Sequence, residues 1–285
     1  IDFVVTLKTP PTTVVKSNVI YNLDGVNVAI TSDHYPLYCD FKKPTGLEEY
    51  PKAEGDLRIG NYFLTYCKGT DGVIDYDRTG RIIAKMNADI VCLQGLDKET
   101  ERSEGIDQLN VLAQKANMHD YFAKAIDYKG GEFGVGILTK EEPVSVDRYQ
   151  MAGKSEMRAA MVVEYEKFVV ASTNFDTDMA KRIEALQTLE TKLSAYNKPA
   201  FLLGYFNEGD LESEFFQMVK SNWNLLSADK STEVSGKKRR LDFIVSLKSH
   251  NVNVTQADVI ENLSGVDVTI ASTHYPLFCD FSGLK

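Results

Sequence analysis

ASTHYPLFCDF, residues 271–281, decides the fold of this chain, because the chain writes it twice. The other copy, TSDHYPLYCDF, occupies residues 31–41. Extending outward from the phrase, residues 1–41 align with 241–281 at a constant offset of 240 and without a gap. IDFVVTLK matches LDFIVSLK, SNVIYNLDGVNVAI matches ADVIENLSGVDVTI, and 22 of the 41 positions are identical by direct count. Solenoid and propeller repeats recur every ~20–50 residues, so this much longer spacing signals duplication of a whole domain or of its tail.

Between the copies lies KKPTGLEEYPKAEG, residues 42–55, whose Pro, Gly and charge read as a linker. On one account, residues 1–41 are the last strands of an upstream homologous domain, and 56–281 is one complete domain. On the other, the first copy is a spare tail that replaces the second by strand exchange, building dimers or filaments.

Composition bounds the function class. Hydrophobic residues make up 43% and charged residues 26% of the 285, as in soluble globular proteins. No apolar run approaches the ~20 residues that a membrane span needs, and no signal-peptide pattern opens the chain. The net charge of -9 argues against a general nucleic-acid grip, which draws on clustered Lys and Arg. Cys39, Cys67, Cys92 and Cys279 form no CxxC pair and read as small buried hydrophobes.

From Leu57 onward, strand and helix patterns alternate. LRIGNYFL, DIVCLQ, FGVGILTK, AAMVVEYE, KFVVASTN, AFLLG, LDFIVSL, VDVTIA and YPLFCDF are short and rich in β-branched or aromatic residues, so each predicts a strand. RTGRIIAKMNA spaces Ile82, Ile83 and Met86 as a helix does, and EGIDQLNVLAQKANM so spaces Ile106, Leu109, Leu112 and Ala116. DTDMAKRIEALQTLETKLSAY predicts a long amphipathic helix capped by Asp176 or Thr177, and LESEFFQMVK a shorter helix. Strands interleaved with helices point to an α/β (α+β) arrangement of sheets under a helical coat.

The ordered blocks LRIGNY, DIVCLQGLD, GGEFGVGILTK, STNFD, GYFN, RRLDFIVS and STHYPL resemble the endonuclease/exonuclease/phosphatase superfamily across nearly all of residues 57–281. The likeness is greatest to small secreted-type members from gut bacteria, which implies a bacterial protein placed in the periplasm or outside the cell. The implied fold is a four-layered sandwich, with two mixed β-sheets face to face and helices outside. The implied chemistry is phosphoester hydrolysis with Mg²⁺ or Mn²⁺, which needs a carboxylate-held cation, an activated water and a His made basic by an Asp.

Position by position, this chain departs from that pattern. Phe63 stands where the resemblance implies an Asn beside the metal. Gly95 stands in place of the Glu that is the principal metal ligand, and Asn174 in place of a phosphate-steadying His. Tyr205 replaces an Asp near the attacking water, and Thr273 replaces the Asp before the last His. Asn207, Asp242 and His274 are retained. Five of eight expected positions are changed, and groups that act as a unit fail together, so the resemblance predicts an inactive member without a metal.

The retained residues have plain structural readings too: a satisfied, partly buried His274, an Asp242 ion-paired with the run KKRR, and an Asn207 bonded within its own turn. Arg158 either faces the cleft or forms a surface salt bridge. With Phe63, Tyr205, Asn174, Asn207 and His274 it would line a cleft of rings and amides suited to a small phosphorylated, sugar or nucleoside ligand. The competing expectation is an active enzyme with rearranged ligands, namely Asp97, Asp176 and Asp242.

Overall fold

The computed structural model describes residues 4, 14–21, 33–41 and 50–285. The chain divides into two compact units, residues 1–48 and 49–285. The first unit contains β1 (Val14–Val19) and β2 (Leu37–Phe41), paired antiparallel. Residues 1–3, 5–13 and 22–32 of the predicted duplicate and residues 42–49 of the predicted linker lie outside the described residues. The rest of that linker belongs to the second unit. There Arg58 Nη1 donates to the carbonyl of Tyr50 at 2.9 Å, and the Tyr50 ring packs on Phe278.

The second unit holds two six-stranded mixed sheets. In chain order its strands are β3 (Leu57–Phe63), β4 (Ile90–Lys98), β5 (His119–Tyr128), β6 (Gly131–Thr139), β7 (Ser145–Met151) and β8 (Arg158–Glu164). They continue with β9 (Val169–Asn174), β10 (Ala200–Tyr205), β11 (Trp223–Leu225), β12 (Asp242–Leu247), β13 (Asn253–Val259) and β14 (Leu277–Ser282). One sheet runs β13-β14-β3-β4-β6-β5 and the other β11-β12-β10-β9-β8-β7. The pairs β3–β4 and β9–β10 are parallel, and the remaining neighbours are antiparallel.

Period-two alternation on these strands builds the four layers. Ile59, Cys92, Met161, Phe201, Leu203 and Ile244 point between the sheets into one apolar cluster. Their strand neighbours point outward: Val91 and Leu93 meet α1 (Tyr76–Lys85) and α2 (Gln108–Ala116). On the other face Val162, Leu202 and Phe243 meet α3 (Met179–Ser194) and α4 (Glu214–Asn222). Strands this apolar on both faces form where both faces are covered, and each fully buried Leu, Ile or Phe adds ~1.5–3 kcal/mol. The predicted sandwich is thus the observed one.

Three local expectations differ from the structure. VDVTIA is a short helix, α5 (Val268–Ala271), whose cap Asp267 accepts from the Thr269 N–H at 2.9 Å. Its alternating pattern mimics a strand, yet Val268 and Ala271, three apart, are the buried pair. The cap of α3 is Asp178, which accepts from the Lys181 N–H at 3.3 Å, while Asp176 is held by other partners. Cys39 is half-buried, whereas Cys67, Cys92 and Cys279 are fully buried with thiol pKa values pushed up by that burial.

Candidate functional site

Three of the candidate residues stand in one row. Asn174 ends β9, Tyr205 ends β10 and Asp242 opens β12; Asn174 pairs with Tyr205, and Tyr205 with Asp242. On the facing sheet, Phe63 ends β3 opposite Gln94 of β4. The site therefore forms at the carboxyl ends of the parallel strands, where open α/β sheets present side chains from several strands at once. Gln94 ties the two sheets together beneath it, its Nε2 donating to Asn61 Oδ1 at 2.8 Å and to Ser172 Oγ at 3.1 Å.

His274 arrives on the segment before β14. Its Nδ1 lies 2.6 Å from Asp242 Oδ2, with both side chains buried. The acid that serves this His is therefore Asp242, and the expected stranding of His274 by Thr273 is corrected. Asp242 likewise pairs with His274, not with the KKRR run. The Thr273 hydroxyl instead meets Thr65 Oγ1 at 3.0 Å. With Nδ1 turned to the carboxylate, the neutral imidazole keeps its lone pair on Nε2. Burial pulls the His274 pKa down, but the charge of Asp242 and its hydrogen bond outweigh burial and hold it above the ordinary value.

Around the dyad stand groups that the sequence reading did not single out. Thr232 Oγ1 accepts from the N–H groups of Leu241 and Asp242 at 3.0 and 3.2 Å, fixing the start of β12. Ser272 Oγ donates to the Phe63 carbonyl at 2.6 Å and so joins the His274 segment to the end of β3. Glu233 pairs by a β-bridge with His274, and its carboxylate accepts from Arg239 at 2.6 and 2.7 Å, which draws its pKa down to about 2. Gln94 was legible within the LQG block, but Thr232 sits in a loop with no motif to mark it.

Aromatic rings pack against the dyad. Phe63 lies 4.7 Å from the Tyr205 ring and 4.8 Å from His274, and Tyr205 lies edge-on to His274 at 4.8 Å, all between centroids. Gly95 occupies a bulge in β4 with φ +72°, and a Cβ there would stand 3.3 Å from both Phe63 Cε2 and the Thr65 nitrogen. Burial, and then the Asp242 charge, push the Tyr205 pKa up, so its hydroxyl stays neutral at pH 7.

The proposed replacement ligands are already engaged. Asp97 is fully buried and takes Arg102 Nε at 2.5 Å, Arg102 Nη2 at 2.8 Å and Thr100 Oγ1 at 3.0 Å. Asp176 takes Arg158 Nε at 3.0 Å and the N–H of Asp178 at 2.8 Å. Arg158 also donates to Glu156 at 2.8 Å, so its guanidinium is held in an ion-pair network. Asn207 turns inward, its Nδ2 donating to the Phe175 carbonyl at 2.7 Å. Among the described residues, no group of three or more His, Cys, Asp or Glu side chains could hold a metal ion. The hard cation of the resembled chemistry does not fit the donors present.

No protein-family model and no curated protein matches the chain. Solved structures do. An endonuclease/exonuclease/phosphatase from Beutenbergia cavernae is 19% identical, with a TM-score of 0.69 over 81% of this chain and 73% of its own. One from Bacteroides vulgatus is 17% identical, with a TM-score of 0.65 over 81% and 99%. A mannosyl-6-phosphatase of Bacteroides thetaiotaomicron is 15% identical, with a TM-score of 0.63 over 79% and 99%. The second unit has the fold of the endonuclease/exonuclease/phosphatase proteins.

Proposed function

We propose that the second unit is a phosphoesterase-fold domain that has given up metal-dependent hydrolysis and acts as a binding or scaffold module. One observation carries the reading: the Phe63 ring covers Gly95 and packs on His274 and Tyr205, filling the space a carboxylate-bound cation would need. The engagement of Asp97 and Asp176 by arginines supports it, because freeing either carboxylate would leave a charged partner unmatched. The rim of Phe63, Tyr205 and Asn174 favours a flat sugar or nucleoside ring over a metal-bound phosphodiester.

The intact His274–Asp242 dyad favours a second reading, residual hydrolysis by this pair acting on a water or a substrate hydroxyl. Titration calorimetry with Mg²⁺ and Mn²⁺, alongside turnover of a generic phosphodiester and phosphomonoester, separates the two. The silent reading expects neither binding heat nor turnover above background. Turnover that disappears in both His274→Ala and Asp242→Asn would overturn it and establish the second.

A further inference from the structure

The duplicated ending is a duplicated structure. In β1–β2 the paired residues are Val14 with Phe41, Lys16 with Asp40, Ser17 with Cys39, Asn18 with Tyr38 and Val19 with Leu37. In β13–β14 they are Val254 with Phe281, Gln256 with Asp280, Ala257 with Cys279, Asp258 with Phe278 and Val259 with Leu277. Every pair is displaced by the sequence offset, and the register shift falls at the matching step, Val14/Lys16 and Val254/Gln256. Even the bond that closes each hairpin repeats: Ile20 N–H to Pro36 O and Ile260 N–H to Pro276 O, both 2.7 Å.

Among the described residues, the two hairpins differ in what packs on them. β14 is seated on β3, with Leu277, Phe278 and Cys279 fully buried. Arg58 of β3 grips Asp280 through Nε and Nη2, each at 2.7 Å, and stacks on the Phe278 ring at 3.9 Å. Their counterparts Leu37, Tyr38 and Cys39 are half-buried, and among the described residues β2 pairs with β1 in a two-stranded sheet. Yet β2 keeps the sequence of a seated strand. Leu, Cys, Asp and Phe recur at 37, 39, 40 and 41, and the one change, Tyr38 for Phe278, preserves the ring that an arginine stacks on.

We propose that β1–β2, a copy of the β13–β14 hairpin, completes the edge strand of another unit of this fold. Its partner is a β3-type edge that carries a buried arginine at the Arg58 position and lacks its own closing hairpin. Addition of a strand to such an edge supplies affinity through main-chain bonds, and the Asp–Arg pair supplies register. In this chain the β3 edge is already filled by β14, so the partner is a like unit whose edge is open.

The full chain provides the test, because Asp280→Ala weakens its own hairpin and makes its β3 edge such a partner. Asp280→Ala is expected to form dimers in which Asp40 of a second copy meets Arg58. Asp40→Ala/Asp280→Ala is expected to stay monomeric and to melt roughly 6–20 °C lower. Ile59→Cys and Cys279→Ser, added to Asp280→Ala, read the register directly, since position 59 faces 279 in the seated hairpin. Mild oxidation should then link Cys39 of one chain to the new thiol at 59 of another. Monomeric Asp280→Ala with the same Tm as the double variant, or a cross-link confined to monomers, would overturn the proposal.

Discussion

At the scale of single residues, the site turns on His274, whose properties follow from its neighbours. A His whose folded pKa lies above its unfolded value of ~6.5 is bound more tightly in its charged form. Its contribution is thus complete below that value and is lost as pH rises through the folded pKa. Denaturant unfolding of the intact chain from pH 5 to 9 should show stability falling across that window. Asp242→Asn should flatten the dependence and cost ~3–5 kcal/mol, as removal of one partner of a buried pair does. An unchanged pH profile in Asp242→Asn would show that the dyad is not the source. Gly95 is the second decisive residue. Its left-handed φ costs any side chain ~1–2 kcal/mol, and Phe63 stands over it. Gly95→Glu should lower the unfolding free energy by that amount and, with Phe63 over the position and Asp97 held by Arg102, leave Mg²⁺ calorimetry blank. A measurable Mg²⁺ affinity in this variant would mean that the rings yield readily to an acid.

At the scale of elements, hydrogen-bonded caps decide what the local pattern leaves open. The sequence pattern puts the cap of α3 at Asp176 or Thr177. The structure chooses Asp178 because Asp176 is drawn to Arg158. Asp178→Ala should therefore cost about 0.5–2 kcal/mol by thermal unfolding, while Thr177→Ala should be nearly neutral. The reverse order would return the cap to Thr177. The same competition explains VDVTIA: its alternation is that of a strand, but Asp267 caps a turn that the apolar cluster around Phe278 accepts. The four edge strands, β5, β7, β11 and β13, carry no signal in the sequence pattern because each is short or interrupted by exposed or half-buried polar residues, so no continuous apolar run marks them.

At the scale of the whole molecule, the second unit is closed by the contact of its beginning with its end. Arg58 on the first strand of the sandwich and Asp280 on the last form a buried bidentate pair, and Arg58 Nη1 also reaches the carbonyls of Tyr50 and Met86 at 2.9 and 3.0 Å. Paired groups replace the water that each would otherwise need, which makes the deletion of one partner expensive. Arg58→Ala should lower stability by ~3–5 kcal/mol in urea unfolding, far beyond the ~0–1 kcal/mol of an exposed pair such as Lys181–Glu184. A loss as small as that of a surface pair would place the closure of the sandwich in the apolar cluster alone.

The layers, the order of the blocks and the identities at 63, 95, 174, 205 and 273 were legible in the chain itself. Apolar periodicity and residue type are local, and burial rewards them wherever the strands come to lie. The sequence also contained both hairpins, since one stretch of residues folds into one register when its turn and its apolar face agree. What it could not contain is which acid meets which base. Asp242 and His274 are 32 positions apart and Arg58 and Asp280 are 222 apart, and adjacency in the chain pointed instead to position 273. Charge pairing acts over a few ångströms of space, so the partner of His274 was decided when β12 and β14 were brought into neighbouring sheets. Local pattern determined the sandwich, and tertiary packing decided that its site keeps the dyad with the rings of Phe63 and Tyr205 packed against His274.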